Sequence, residues 1–255
     1  MPRFARKKSI TGIYHVMVRG IDKRDIFLDN EDKIKLINNL INAKGKGQFE
    51  LYGYCIMDNH VHLLMKESES EEIGTSIKRI TVAYAGWHNK KYERTGHLFY
   101  NRFTSEPVED EKYLLTVIRY IHQNPLKANM VSNIENYNYS SFQQYYNYFN
   151  NQPSFIDAEL IGYYFKTFEE FCKYMKEKCD DDCMEYKVNN NYNDSTIKEI
   201  LNTKYDMKKL LELPIDEQKL MIHTIYKNED ISIRTLSRIT GISKTIIEAA
   251  VKKDK

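Results

Sequence analysis

Between Leu51 and Met65 the chain reads LYGYCIMDNHVHLLM, two apolar blocks separated only by Asp58-Asn59. An acidic–amide pair between apolar runs marks a turn, so residues 48–57 and 60–66 are expected to form two strands of a β-hairpin. Alternate residues of a strand point the same way, which places His60 and His62 side by side while Val61 and Leu63 face the core. Neutral imidazole is a common metal ligand, and two on one rigid strand supply half of a divalent-metal site. The same doublet also fits two ordinary histidines with partners elsewhere in the fold, so the rest of the chain has to decide.

The flanking segments give the hairpin its setting. Residues 12–18 (GIYHVMV) are rich in β-formers and end at Arg19-Gly20. Residues 30–43 carry Ile34, Ile37, Leu40 and Ile41 at helical spacing, with Asp29 or Asn30 as cap. Residues 71–91 repeat that pattern through Ile73, Ile77, Ile80, Ala83, Tyr84 and Trp87. A strand is expected within 96–108, then a helix over 109–123 built on Leu114, Leu115, Val117, Ile118 and Ile121. The order β-α-β-β-α-β-α predicts an α+β fold, a ferredoxin-like antiparallel sheet with helices packed on one face. Composition shifts at Asn150-Asn151-Gln152-Pro153, which places a domain over 1–152 and a smaller, mostly helical region over 153–255. Near 231–251, Leu236 and Ile239 precede Thr240-Gly241-Ile242-Ser243, with Ile246, Ile247 and Ala250 following. That is the pattern of a helix-turn-helix, in which Arg234, Arg238 and Lys244 stand where DNA phosphates are held. Helix pairs with a glycine turn also occur without DNA.

Bulk properties narrow the class. With 42% hydrophobic and 29% charged residues in 255, the chain has the make-up of a soluble globular protein. A net charge of +2 does not by itself argue for nucleic acid. Residues 1–152 carry 21 Lys/Arg against 17 Asp/Glu, and the remainder 17 against 19, so the slight basic excess lies in the first domain. Arg3, Arg6, Lys7 and Lys8 form a basic arm, suited either to phosphates or to a solvated terminus. No apolar run reaches membrane-spanning length and no signal-peptide core is present, so a cytoplasmic protein without membrane contact is expected. Cys55 reads as a core residue, whereas Cys172, Cys179 and Cys183 lack the Cys-x-x-Cys spacing of a zinc site. Residues 179–183 read as an acidic surface turn.

The predicted third helix ends Ile118-Arg119-Tyr120-Ile121-His122-Gln123-Asn124-Pro125. Tyr120 shares a helical face with Gln123 and Asn124. Pro125 disfavours helical geometry at Asn124, so the helix is expected to stop about there. Taken singly, Tyr120 is a core aromatic and Asn124 a helix end. Taken with His60-Val61-His62 they make a chemistry. A neutral phenol is a poor nucleophile and needs an activated electrophile. A divalent ion held by two imidazoles and an amide oxygen polarises a phosphodiester, and attack by Tyr120 would leave a phosphotyrosine. Mixed nitrogen and oxygen ligands suit Mg²⁺ or Mn²⁺, with imidazole favouring Mn²⁺.

Three segments carry a family resemblance: Tyr14-His15-Val16-Met17-Val18-Arg19-Gly20, residues 54–64 and residues 120–128. They resemble the single-tyrosine HUH transposases, and within them the REP-associated tyrosine transposase branch. Arg102-Phe103, after Gly96-His97-Leu98-Phe99, and Ser140-Ser141 resemble further landmarks. The resemblance covers roughly residues 9–150. It implies a nuclease domain that cuts single-stranded DNA, often at hairpin-bearing ends, joins its tyrosine to the 5′ phosphate and frees a 3′ hydroxyl. Carried over, His60 and His62 are metal ligands, Tyr120 is the nucleophile, and the amide ligand falls on Asn124, with Gln123 as the alternative. Arg19 and Arg102 are then DNA contacts. A replication-type nickase and a domesticated DNA-binding regulator are the competing readings. A monomer, with Tyr120 acting in its own chain, and a dimer exchanging tyrosine helices both remain open.

Overall fold

The hairpin forms as β2 (Glu50–Ile56) and β3 (His60–Lys66), with Cys55 opposite His62 and Ile56 opposite Val61. Its turn is closed by Met57 N–H donating to the His60 carbonyl at 2.8 Å. The computed structural model describes residues 6–100, 102–178, 183, 198, 201–205, 207–229 and 233–251. β1 (Ile13–Arg19) lies antiparallel to β3, pairing His15 with Leu64, Met17 with His62 and Arg19 with His60. β4 (Thr104–Pro107) pairs with the outer side of β1, giving the order β2-β3-β1-β4. β3 thus lies between β1 and β2, the split βαβ arrangement of ferredoxin-like sheets. The last strand is shorter than the sequence pattern suggested. Residues before Thr104 reach the sheet only at an isolated bridge between Phe99 and Gly20.

Helix α1 (Asn30–Gly47) starts at a capping box, Asp29 accepting from Asp32 N–H and Asp32 accepting in return from Asp29 N–H. Such a cap contributes about 1 kcal/mol. α1 packs against α2 (Ile73–Lys91). On the opposite face lies α3 (Glu111–Lys127), capped by Asp110, whose carboxylate accepts from Tyr113 N–H at 2.8 Å. The expectation of helices on one face is therefore corrected to helices on both. The physical reason is visible in the strands, whose central residues are buried whichever way they point. Gly53 is what lets α3 approach so closely: a Cβ there would lie 2.3 Å from Ile118 Cδ1.

α3 also passes the expected stop. Pro125 lies inside it, and the chain leaves helical geometry only after Lys127, at Asn129 with φ of 55°. Asparagine tolerates the left-handed conformation that ends helices, so Asn129 is the true terminator.

The Asn/Tyr-rich segment covers the exposed edge of β2. Ser141 exchanges bonds with Tyr54, donating N–H to its carbonyl at 2.9 Å and accepting its N–H on Oγ at 3.0 Å. Tyr137 and Tyr145 hydroxyls donate to the Ile56 and Tyr52 carbonyls at 2.6 Å each. Edge coverage of this kind blocks strand addition. α4 (Phe142–Phe149), α5 (Glu159–Gly162) and α6 (Phe168–Lys176) follow, and all three join the same core. The compact units are 1–184 and 185–255, so the break at Asn150–Pro153 is a loop inside the first unit and the boundary lies later than composition indicated.

The second unit contains α7 (Met207–Glu212), α8 (Ile215–Glu229), α9 (Ile233–Thr240) and α10 (Lys244–Val251). Its own core includes Leu210, Ile222, Ile225, Leu236 and Ile247. α9 and α10 meet across Gly241-Ile242-Ser243, where Gly241 has φ of 75°. Cys55 and Cys183 are buried free thiols. The acidic stretch 179–182 and Arg3 fall outside the described residues. Among those described, no helix is long and apolar enough to cross a membrane.

Candidate active site

Strand pairing sets the floor of the site. Met17 opposite His62 and Arg19 opposite His60 place odd-numbered β1 side chains on the histidine face. His60 is half-buried and His62 fully buried, with ring centroids 4.9 Å apart. His60 Nδ1–H donates to Asn59 Oδ1 at 2.5 Å, which leaves Nε2 as that ring's lone pair. His62 Nδ1 lies 3.0 Å from Nε2 of His15, a fully buried residue of β1. The outward-facing nitrogen of His62 is thus also Nε2.

α3 forms the roof. Tyr120 is buried, and its ring meets His62 edge-on at 5.5 Å and His15 at 5.8 Å. One turn on, Asn124 Nδ2 donates to the Tyr120 carbonyl at 2.9 Å. That bond engages the amide nitrogen and leaves the oxygen as the amide's acceptor. Gln123 points elsewhere, its amide nitrogen donating to the Met175 and Glu177 carbonyls at 2.7 Å each. Its place is at the end of α6, away from the tyrosine. A further residue joins the Tyr120 face: Lys127 Nζ lies 4.7 Å over the phenol ring. The i, i+4, i+7 period identifies Lys127 once α3 is known to run through Pro125; a helix stopped at Asn124 hides it.

Electrostatics favour neutral imidazoles here. Burial, then the charge of Arg19, pushes His60 down to about 4, with Asp58 opposing. Burial, with His60, His15 and Arg19 adding to it, holds His62 well below the ordinary histidine value. Burial alone takes His15 to about 3. Two neutral imidazoles with Nδ1 engaged inside the protein, and the amide of Asn124 one turn beyond Tyr120, form a donor set whose chemistry fits a divalent cation. Among the described residues no cluster of three His, Cys, Asp or Glu offers a competing cation site.

The expected DNA contacts fall in three places. Arg19 stands beside His60 at the end of β1. Arg102 is exposed and lies across the sheet, where it lines a cavity of about 390 Å³ with Arg6, Lys78, Val18 and Phe103. There the Arg6 guanidinium sits 3.5 Å over the Phe103 ring. In the second unit Arg238 is exposed on α9, and Lys244 opens α10 in an ion pair with Glu248 at 3.1 Å. Arg234 belongs to α9, and its side chain lies outside the described residues.

The site is thus a histidine pair packed against a buried helical tyrosine, and the chain is similar to the following known proteins. Residues 8–124 match the family described as Transposase IS200 like. A Haemophilus influenzae protein described as a REP-associated tyrosine transposase is 30% identical over 107 residues, covering 38% of this chain. The chain spans 60% of that relative's length. Among solved structures, a REP-associated tyrosine transposase bound to a REP hairpin is 18% identical and covers 56% of this chain and 84% of that one, with a TM-score of 0.49. A Deinococcus radiodurans structure described as a transposase is 19% identical, covers 48% and 96%, and has a TM-score of 0.35. The matched residues include His60, His62, Tyr120 and Asn124, and Lys127 lies just beyond them.

Proposed function

We propose that this chain is a metal-dependent single-strand DNA transposase, cutting and rejoining hairpin-bearing DNA through a 5′-phosphotyrosine at Tyr120. The observation that supports it most directly is the packing of Tyr120 edge-on against His62, which unites nucleophile and ligand from segments 58 residues apart. His60 Nε2, His62 Nε2 and Asn124 Oδ1 would hold Mg²⁺ or Mn²⁺. When bound, such a cation polarises the scissile phosphate and offsets its developing charge.

The chain's own groups then do the following. The Tyr120 oxygen attacks phosphorus, forming a P–O bond as the bond from phosphorus to the 3′ oxygen breaks. The phenol proton is lost to solvent, and the departing 3′ oxygen takes one up. Lys127 above the ring favours negative charge on the phenol during attack. The ester conserves the bond energy, so a 3′ hydroxyl attacking it rejoins a strand and restores Tyr120. Arg19 would hold the backbone beside His60, and Arg102 with Arg6 would hold DNA across the sheet. Tyr120 already lies on His62 of its own chain, which favours attack in cis. Arg238 and Lys244 give the helix-turn-helix of the second unit a means to hold duplex phosphates.

The test incubates labelled hairpin DNA bearing a single-stranded tail with the protein and Mn²⁺. A denaturant-resistant protein–DNA band is expected, absent in Tyr120→Phe although that variant still binds DNA. His62→Ala is expected to lose both cleavage and adduct. Cleavage that survives Tyr120→Phe and His62→Ala alike overturns the reading.

A further inference from the structure

We propose that His15 is a positioning residue for the cation site: its Nε2 accepts the Nδ1 proton of His62 and so aims His62 Nε2 at the metal. The inference rests on the metal reading above and assigns the part played by a third histidine.

The two rings lie 5.1 Å apart between centroids at 32°, with His15 Nε2 and His62 Nδ1 separated by 3.0 Å, inside the buried sheet face. Nitrogens this close share one proton, since two protons clash and none leaves two lone pairs opposed. If the proton sits on His15, neutral His62 carries its own at Nε2 and cannot ligate. If it sits on His62 Nδ1, the Nε2 lone pair is free for a cation. Passing from the first state to the second moves a proton from His15 Nε2 to His62 Nδ1, while the His62 Nε2 proton is replaced by one on His15 Nδ1. Each ring keeps one proton, so the pair sheds no net proton.

Two features argue that His15 is present for this bond and not for packing. Its Nδ1 is buried without a hydrogen-bond partner, a defect that an apolar side chain of the same size would remove. Metal-bound histidines are commonly oriented by a carboxylate or a carbonyl on the far nitrogen. Here an uncharged ring does the work. A carboxylate at this depth would repel an incoming phosphodiester, and a neutral imidazole orients His62 without adding negative charge.

The experiment uses the full chain without DNA and reads Mn²⁺ affinity by electron paramagnetic resonance for wild type, His15→Phe and His15→Gln. Phenylalanine keeps the ring and loses the acceptor; glutamine restores an acceptor oxygen. Wild type should bind, His15→Phe should bind roughly 10–100-fold more weakly at an unchanged melting temperature, and His15→Gln should recover most of the loss. Nitrogen-15 NMR of the Mg²⁺-saturated wild type should find His62 protonated at Nδ1, a readout that needs no variant to fold. Wild-type affinity in His15→Phe overturns the proposal and leaves the metal reading standing, whereas His62 protonated at Nε2 overturns the proposal together with the ligand role of His62. Absence of Mn²⁺ binding by the wild type removes both.

Discussion

His122 lies two residues from Tyr120, yet it belongs to the core. Its ring is enclosed by Phe142, Tyr145 and Phe171, with Nε2 2.7 Å from Ser141 Oγ. Burial pushes its pKa from 6.5 down to about 3. The unfolded chain therefore takes up this proton as pH falls below about 6.5, whereas the folded chain holds out to about 3. The contribution to stability is complete above neutrality and is lost progressively through that window. One such histidine costs about 2 kcal/mol between pH 7 and pH 5. Urea unfolding at the two pH values should show at least that loss, since buried His15, His60 and His62 add to it, and His122→Gln should reduce the loss by about 2 kcal/mol whatever its effect at pH 7. On the Tyr120 face, Lys127→Met should slow adduct formation roughly tenfold while leaving DNA affinity near wild type, since a lost cation is felt chiefly as phenolate develops. His60 and His62 were readable because strand alternation is local. His15 was not, because its partner stands 47 residues away on a neighbouring strand and a lone histidine in an apolar run carries no signal of its own.

At the scale of elements, one close fit is between β2 and α3. Gly53 meets the tip of Ile118, so Gly53→Ala should displace that side chain and destabilise the fold by about 1 kcal/mol. Chemical denaturation measures it directly. The first three strands, helices α1 and α2 and the hairpin turn followed from periodicity. The end of α3 did not. Proline is a strong stop signal on average, but tertiary burial of Leu114, Val117, Ile118 and Ile121 holds the helix through Pro125 to a left-handed Asn129. That single misplaced boundary is also why Lys127 carried no role in the sequence. The β4 pattern failed for a related reason: Phe99 and Phe103 are apolar because they pack on the core from a loop, not because they alternate in a ladder.

Across the whole molecule, two separate hydrophobic cores divide the chain at 184/185, later than the amide-rich stretch suggested. Tyrosines there spend their rings on the core and their hydroxyls on β2 carbonyls, an arrangement that composition alone cannot reveal. A fragment of residues 1–184 should fold with the far-ultraviolet signature and urea midpoint of the first unit in the full chain, and should still form the DNA adduct. Loss of folding in that fragment would show that the units depend on one another. The central claim, a phosphotyrosine at Tyr120, is tested most directly by mass spectrometry of the tryptic peptide Tyr120–Lys127 after reaction with hairpin DNA and nuclease trimming. The account predicts that peptide with a nucleotide attached through its tyrosine; cleaved DNA with the peptide unmodified, or the nucleotide on another residue, would contradict it.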